Sequence, residues 1–267
     1  MKRGSGDPAA AERSIQGAKL FDQMTEAAGL DAYRRKIDSG DVLRLVIVDD
    51  WQSTLIRSFT PLPENITRLQ LEISPGPIPD IAATVLAPNP ESGTDKSGAQ
   101  PQDPPAIRFG IRDGSAYYAN AEEEREGPDA ADVKVYLESL WLYLSLAQQL
   151  GSAPGARASA SALPDAQAPG APGKTMQRIF ISPGGAAPAS DRDQYILWMP
   201  PEDARVAFVE FTYREVFDFY QGALYYKDMR RVAGLLLPFT TRVTDGIDDP
   251  ESVHTIQIES AEFARPR

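Results

Sequence analysis

Cysteine is absent from the 267 residues. That absence removes disulfides, thiolate nucleophiles, zinc–thiolate sites and iron–sulfur clusters together, and it fits a reducing compartment. Histidine is almost as scarce, since His254 stands alone, so one chain cannot build a site that needs two imidazoles. A Ser-His-Asp triad would have to use His254. No Gly-x-Ser-x-Gly elbow occurs, however, and the residue falls in an alternating stretch with Ile256 and Ile258, where a structural or surface role is expected. Long apolar runs are missing too. The most apolar stretch, Val232 to Phe239, is far short of the ~20 residues of a spanning helix. The charged start Met1–Asp7 leads into Pro8-Ala9-Ala10-Ala11-Glu12 instead of an apolar leader core. The expectation is a cytoplasmic protein without membrane contact. Positive charge is also in deficit, with 27 Lys+Arg against 38 Asp+Glu and a net charge of −11. This balance runs against a duplex-nucleic-acid binder of the usual basic kind.

What is present is enough for a core, at 42% hydrophobic residues. Pro8 to Ala28 reads as a helix. Asp7 suits its N-cap, Pro8 its first position and Gly29 its C-terminal stop, while Ile15, Ala18, Phe21, Met24 and Ala28 recur at three- and four-residue steps. A shorter helix follows from Leu30 to Ile37. Val42–Val48 reads as a buried strand, and Thr67–Ile73 alternates strictly. Ile81–Leu86 is a further strand, and Ile107–Ile111 with Ala116–Ala119 forms a hairpin closed by Asp113-Gly114. Asp129–Leu150 carries a broad apolar band and is expected as a central helix. Strands are expected at 177–182, 195–199, 206–211 and 253–258. Thr212-Tyr-Arg-Glu215 fits a capping box, so a second long helix is expected from Thr212 to Leu237, stopped by Pro238.

Three tracts are poor in large apolar side chains: 87–106, 151–175 and 183–193. Such segments offset little of the entropy of ordering, so they are expected as disordered loops. The expected architecture is α+β, a mixed or antiparallel sheet packed by two long helices with long Pro/Ala/Ser-rich loops. Residues 1–40 would form an N-terminal helical segment or arm, and 41–267 the core.

Chemistry-bearing patterns are few. Ala168-Pro-Gly-Ala-Pro-Gly173-Lys174-Thr175 satisfies a relaxed phosphate-loop pattern, but the strand before it and the helix after it that such a loop requires are not expected. Acidic residues gather at Asp49-Asp50, Glu122–Glu124 and Asp245–Glu251, the last without calcium-loop spacing. No catalytic, cofactor or metal set emerges. Arg34, Arg35 and Lys36, with Lys227, Arg230 and Arg231, are the compact basic groups that could meet RNA phosphates. Ile15, Phe21 and Met24 on the first helix, with Tyr220 and Tyr225 on the expected late helix, are candidates for a subunit interface.

Alanine, proline and serine are in excess, with 23 prolines, and the bias concentrates in Gly151–Thr175. In size and composition the chain resembles the proline-alanine-serine-rich coat-type protein of polymycoviruses, fungal double-stranded RNA viruses. The resemblance rests on no motif and transfers no functional residue. It implies a non-enzymatic, self-assembling coat or genome-associated subunit whose partners are itself and viral RNA, found in host cytoplasm or virion. The acidic balance runs against that RNA contact. Two other readings stand beside it: a carboxylate- or metal-dependent hydrolase or transferase using Asp49-Asp50 or the acidic turn, and a proline-rich adaptor.

Overall fold

The computed structural model describes residues 8–52, 57–76, 78–87, 107–120, 123–125, 130–184, 192–214, 221–247 and 251–265. Among them are four helices and thirteen strands. The helices are α1 (Pro8–Ala28), α2 (Leu30–Ser39), α3 (Ala130–Ser152) and α4 (Ala156–Ser159). The chain divides into two compact units, residues 1–33 with 143–252 and residues 34–142 with 253–267.

The second unit is a sheet of β1 (Val42–Trp51), β2 (Ile66–Ser74), β3 (Asp80–Val85), β4 (Ile107–Arg112), β5 (Ser115–Asn120), β6 (Glu123–Arg125) and β13 (His254–Ala264). Its order is β6-β5-β4-β3-β2-β1-β13, and every pair is antiparallel. Side chains alternate across a strand, so Leu43, Leu45 and Ile47 of β1 bury beside Leu69, Leu71 and Ile73 of β2. The same alternation carries Asp49 inward, where it is fully buried. Three donors meet it there. Trp51 Nε1 and Tyr136 Oη donate to Oδ2 at 3.0 and 2.8 Å, and His254 Nδ1 donates to Oδ1 at 2.8 Å. The Trp51 and His254 rings stack with centroids 4.0 Å apart. A carboxylate out of water survives only when its lone pairs are met in this way. His254 is therefore structural, as its position in an alternating stretch implied. Burial and the neighbouring Asp49 carboxylate push the Tyr136 phenol well above its ordinary range.

The first unit is a sheet of β7 (Ser161–Ala168), β8 (Ala171–Ile181), β9 (Tyr195–Met199), β10 (Phe208–Thr212), β11 (Gln221–Val232) and β12 (Leu235–Thr244), neighbours in that order. Its pairs are again antiparallel. One face is covered by α1 and by the part of α3 from Tyr143 onward. Phe21 and Met24 are buried there. Gln148 Nε2 donates to Ala28 O and Leu236 O, both at 2.9 Å, and Tyr226 Oη donates to Tyr143 O at 2.8 Å. Desolvation by burial holds the Tyr226 phenol far above its usual value. A cavity of only about 20 Å³ lies among Met24, Leu144, Gln148, Tyr226 and Leu236, too small for more than a single water. Where α1 meets β7, Gly17 lets the backbones touch, since a Cβ at that position would sit 2.5 Å from Ala160 O. Arg157 then forks both Asp22 carboxylate oxygens at 2.7 Å.

Several expectations are corrected. No second long helix follows Thr212: described residues from Gln221 are β11 and β12, joined by Ala233-Gly234 with φ of 49° and 95°. Within each unit every strand pair is antiparallel, so the architecture is strand-dominated and antiparallel, without the late helix or the loop at 151–175 that were expected. The tract 151–175 is no disordered loop, because it holds the end of α3, α4 and most of the β7–β8 hairpin. Residues 88–106 and 185–191, the bulk of the other two expected loops, lie outside the described residues.

Two measurements check this account. Asp49→Ala leaves three buried donors without their acceptor and is expected to cost about 3–5 kcal/mol in urea unfolding, against about 1 kcal/mol for Trp51→Phe. The reverse ranking would show that the carboxylate does not organise this core. The second concerns alkaline pH. Tyr136 and Tyr226 keep their protons in the folded state above the unfolded value of about 10, so the unfolded state binds fewer protons there. Stability is then complete below pH ~10 and falls above it, by up to about 1.4 kcal/mol per pH unit for each phenol. A pH series of urea midpoints reads this directly, and Tyr226→Phe flattens part of the fall.

Candidate functional site

The opposite face of the first unit's sheet is arranged in rows, because residues paired across antiparallel strands share a face. One row runs Phe180, Ile196, Glu210, Ala223 and Thr244 across β8 to β12. The next, two residues along each strand, runs Arg178, Trp198, Phe208, Tyr225 and Arg242. It is an aromatic strip with cations laid on it. The Arg178 guanidinium lies 4.7 Å from the Trp198 ring centroid and that of Arg242 lies 4.3 Å from Tyr225, while Phe208 meets Tyr225 edge-on at 5.0 Å. On the other side of the Glu210 row lie Gln194, Thr212 and Gln221. Thr212 N donates to Gln194 O at 2.9 Å, and Gln194 N donates to Thr212 Oγ1 at 3.0 Å.

A cleft of about 430 Å³ opens over the middle and polar rows. Phe180, Ile196 and Glu210 floor it; Gln194, Thr212 and Gln221 supply amides and a hydroxyl; Gly246 and Ile247 form a wall. That wall is pinned from below. Tyr225 Oη donates to Ile247 O, and Thr244 Oγ1 donates to Gly246 O at 2.7 Å. Among the described residues Glu210 is the one charged side chain in the lining, partly buried, with Oε1 accepting from Trp198 Nε1 at 2.8 Å. The indole fixes one carboxylate oxygen and leaves the group's remaining lone pairs to whatever enters. Chemically the cleft offers an apolar floor, one oriented anion and a rim of neutral hydrogen-bonding groups.

The residues expected from sequence fall elsewhere. Phe21, Met24 and Tyr225 are buried within the chain's own core at 3%, 1% and 8% exposure, so they cannot face a second copy. Ile15 is exposed, and Tyr220 lies outside the described residues. Arg34 and Arg35 are exposed on α2, whereas Lys36 pairs with Asp41 at 2.7 Å and lies over the Phe263 ring. Lys227, Arg230 and Arg231 are on strand β11 and not on a helix. Arg230 pairs with Asp228 and covers Phe239, and Arg231 donates to Ala27 O and Gly234 O at 3.1 Å. Lys36, Arg230 and Arg231 are thus engaged within the fold. Residues 168–175 form the β7–β8 turn, where Gly173 N donates to Gln167 Oε1 at 2.7 Å, with no helix behind it to hold a phosphate. Asp49 is fully buried and its acceptor capacity is largely taken by its three donors. Asp248 and Asp249 of the acidic turn and Glu122 lie outside the described residues. Among the described residues no group of three or more His, Cys, Asp or Glu converges to hold an ion, and no helix is long and apolar enough to cross a membrane.

No protein-family model matches the chain, and no curated protein does. Solved structures with a similar course include a putative outer membrane lipoprotein-sorting protein domain from Vibrio parahaemolyticus, at 10% identity and TM-score 0.48 over 94% of this chain and 93% of that one. A DUF1329 family protein from Desulfovibrio piger matches at 8% identity and TM-score 0.46, over 94% and 93% of the two chains. A LolA superfamily protein from Nitrosomonas europaea matches at 8% and 0.44, over 90% and 95%. The resemblance to a polymycovirus coat protein is overturned by the fold itself. Its compositional basis, the tract 151–175, is folded structure at the edge of an antiparallel sheet, and of the residues proposed with it Phe21, Met24 and Tyr225 are buried while Lys36, Arg230 and Arg231 are engaged within the chain. Self-assembly and RNA binding fall with it, and neither the metal-hydrolase nor the adaptor alternative finds support among the described residues.

The Trp198–Glu210 bond makes a testable demand. Glu210→Ala strands an indole N–H in a partly buried place and is expected to cost about 1–2 kcal/mol, whereas Glu210→Gln keeps an acceptor and costs less than about 0.5 kcal/mol. Urea unfolding followed by tryptophan emission distinguishes the two; equal losses would show that the carboxylate does not hold the indole.

Proposed function

We propose that this chain is a non-enzymatic binding protein that holds a small amphipathic molecule in the cleft over β8 to β11. The carrying observation is the cleft itself. Its volume, about 430 Å³, is that of a small-molecule site, and such sites combine apolar walls with a few placed polar groups that fix orientation. Phe180, Ile196 and Ile247 supply the first, and Gln194, Thr212, Gln221 and Glu210 the second. The rigidity needed to hold this geometry comes from the packed face beneath, where Gln148 and Tyr226 tie helices to strands. The proposal is independent of cellular compartment.

Octanol, soluble at millimolar concentration, is a suitable first probe. Calorimetric titration should show saturable binding to the intact protein. Ile196→Trp fills the floor of the cleft from a position whose side chain already faces it. That variant is expected to weaken octanol binding at least about tenfold while shifting stability by less than about 1 kcal/mol. Absence of saturable binding, or binding that Ile196→Trp does not touch, would remove the cleft from consideration.

A further inference from the structure

We infer that the ligand of this cleft is an organic cation, a primary amine on an apolar body, with Glu210 as its headgroup receptor; this rests on the reading of the cleft as a ligand site. Four observations point the same way. Among the described residues Glu210 is the only charged side chain in the lining. Among the described residues no lysine or arginine forms an ion pair with it, although arginines lie on the adjoining row. Arg178 and Arg242 are turned onto the Trp198 and Tyr225 rings, and Arg178 Nε also donates to Pro164 O at 2.9 Å. The carboxylate is already oriented by a neutral donor, the Trp198 indole at 2.8 Å, which fixes its geometry without neutralising its charge. Finally, its neighbours in the row are apolar, Ile196 and Phe180 on one side and Ala223 on the other.

A carboxylate in this setting favours a cation over a neutral donor and rejects an anion. The apolar neighbours lower the local dielectric and strengthen the charge-assisted bond. An ammonium group brings three donors, and the carboxylate retains lone pairs beyond the one taken by the indole. A fatty-acid headgroup would place a second negative charge on the same floor. The net charge of −11 adds a weaker long-range attraction for the same cations.

The test compares three probes with one tail and three heads: octylamine, octanol and octanoate, titrated calorimetrically at pH 7.5 and 0.15 M salt. Octylamine is expected to bind about tenfold or more tighter than octanol, with octanoate weakest. Glu210→Gln, which keeps the Trp198 hydrogen bond, should bring octylamine down to about the octanol level, a loss of about tenfold that exceeds any change in octanol binding. Glu72→Gln removes the same charge from the exposed Arg44 pair in the second unit and should change nothing, which separates local recognition from net charge. If octanol binds as well as octylamine, or if the amine preference survives Glu210→Gln, the headgroup assignment is overturned while the cleft reading stands. If none of the three binds the wild-type protein, both fail.

Discussion

The cleft exists because of the two-residue period of strands locked in antiparallel register. In β8 to β12 that period sends Ile179, Leu197, Val209, Phe211 and Leu224 toward the helices and leaves Phe180, Ile196, Glu210 and Tyr225 on the other face. A slip of one residue in β10 alone would exchange Glu210 for buried Val209 or Phe211 and put a carboxylate against α3. The packed face forbids that slip. Tyr226 Oη bonded to Tyr143 O and Gln148 shared between Ala28 O and Leu236 O fix the strands to the helices, so the site on one face is held by polar bonds on the other.

Elements governed by local chemistry were legible before any coordinates. The Pro8 start and Gly29 stop bracket α1 at its observed limits, and the Asp113-Gly114 turn takes positive φ at both residues, as a two-residue hairpin requires. The misread stretch after Thr212 shows where locality fails. Pro238 reads as a helix stop because it lacks an amide donor, yet it sits in β12 opposite Met229. The turn that makes the hairpin is Ala233-Gly234, and alanine at positive φ is not a residue from which a turn is inferred. Nor did composition judge 151–175 correctly. Small side chains offer little surface to pack, yet where Gly17 of α1 meets Ala160 and Ser161 at the start of β7 the backbones themselves come into contact. Poverty in large side chains excludes an ordinary core, but it does not exclude backbone packed against backbone.

The site was less legible still. Glu210 lies in Phe-Val-Glu-Phe-Thr, a plain alternating strand whose polar position reads as solvated surface. Its partners Ile196 and Trp198 precede it by more than ten residues, and the wall at Gly246-Ile247 follows by more than thirty. Only the pairing of β9 with β10 and of β10 with β11 assembles them. The basic clusters, being contiguous, drew attention for the reason that makes them uninformative: charges adjacent in sequence are easily satisfied by local partners, as Arg230 is by Asp228.

Two carboxylates, one in each unit, show how the same bond serves opposite ends. Asp49 and Glu210 both accept from an indole N–H. Asp49 also receives a phenol and an imidazole and is closed to solvent, so its acceptor capacity is largely used and its charge belongs to the core. Glu210 receives the indole, faces a cleft and has apolar side chains for neighbours, so its geometry is set while capacity for further donors is kept. How many donors the fold aims at an acid, more than the acid's identity or its place in the sequence, separates the structural carboxylate from the receptive one.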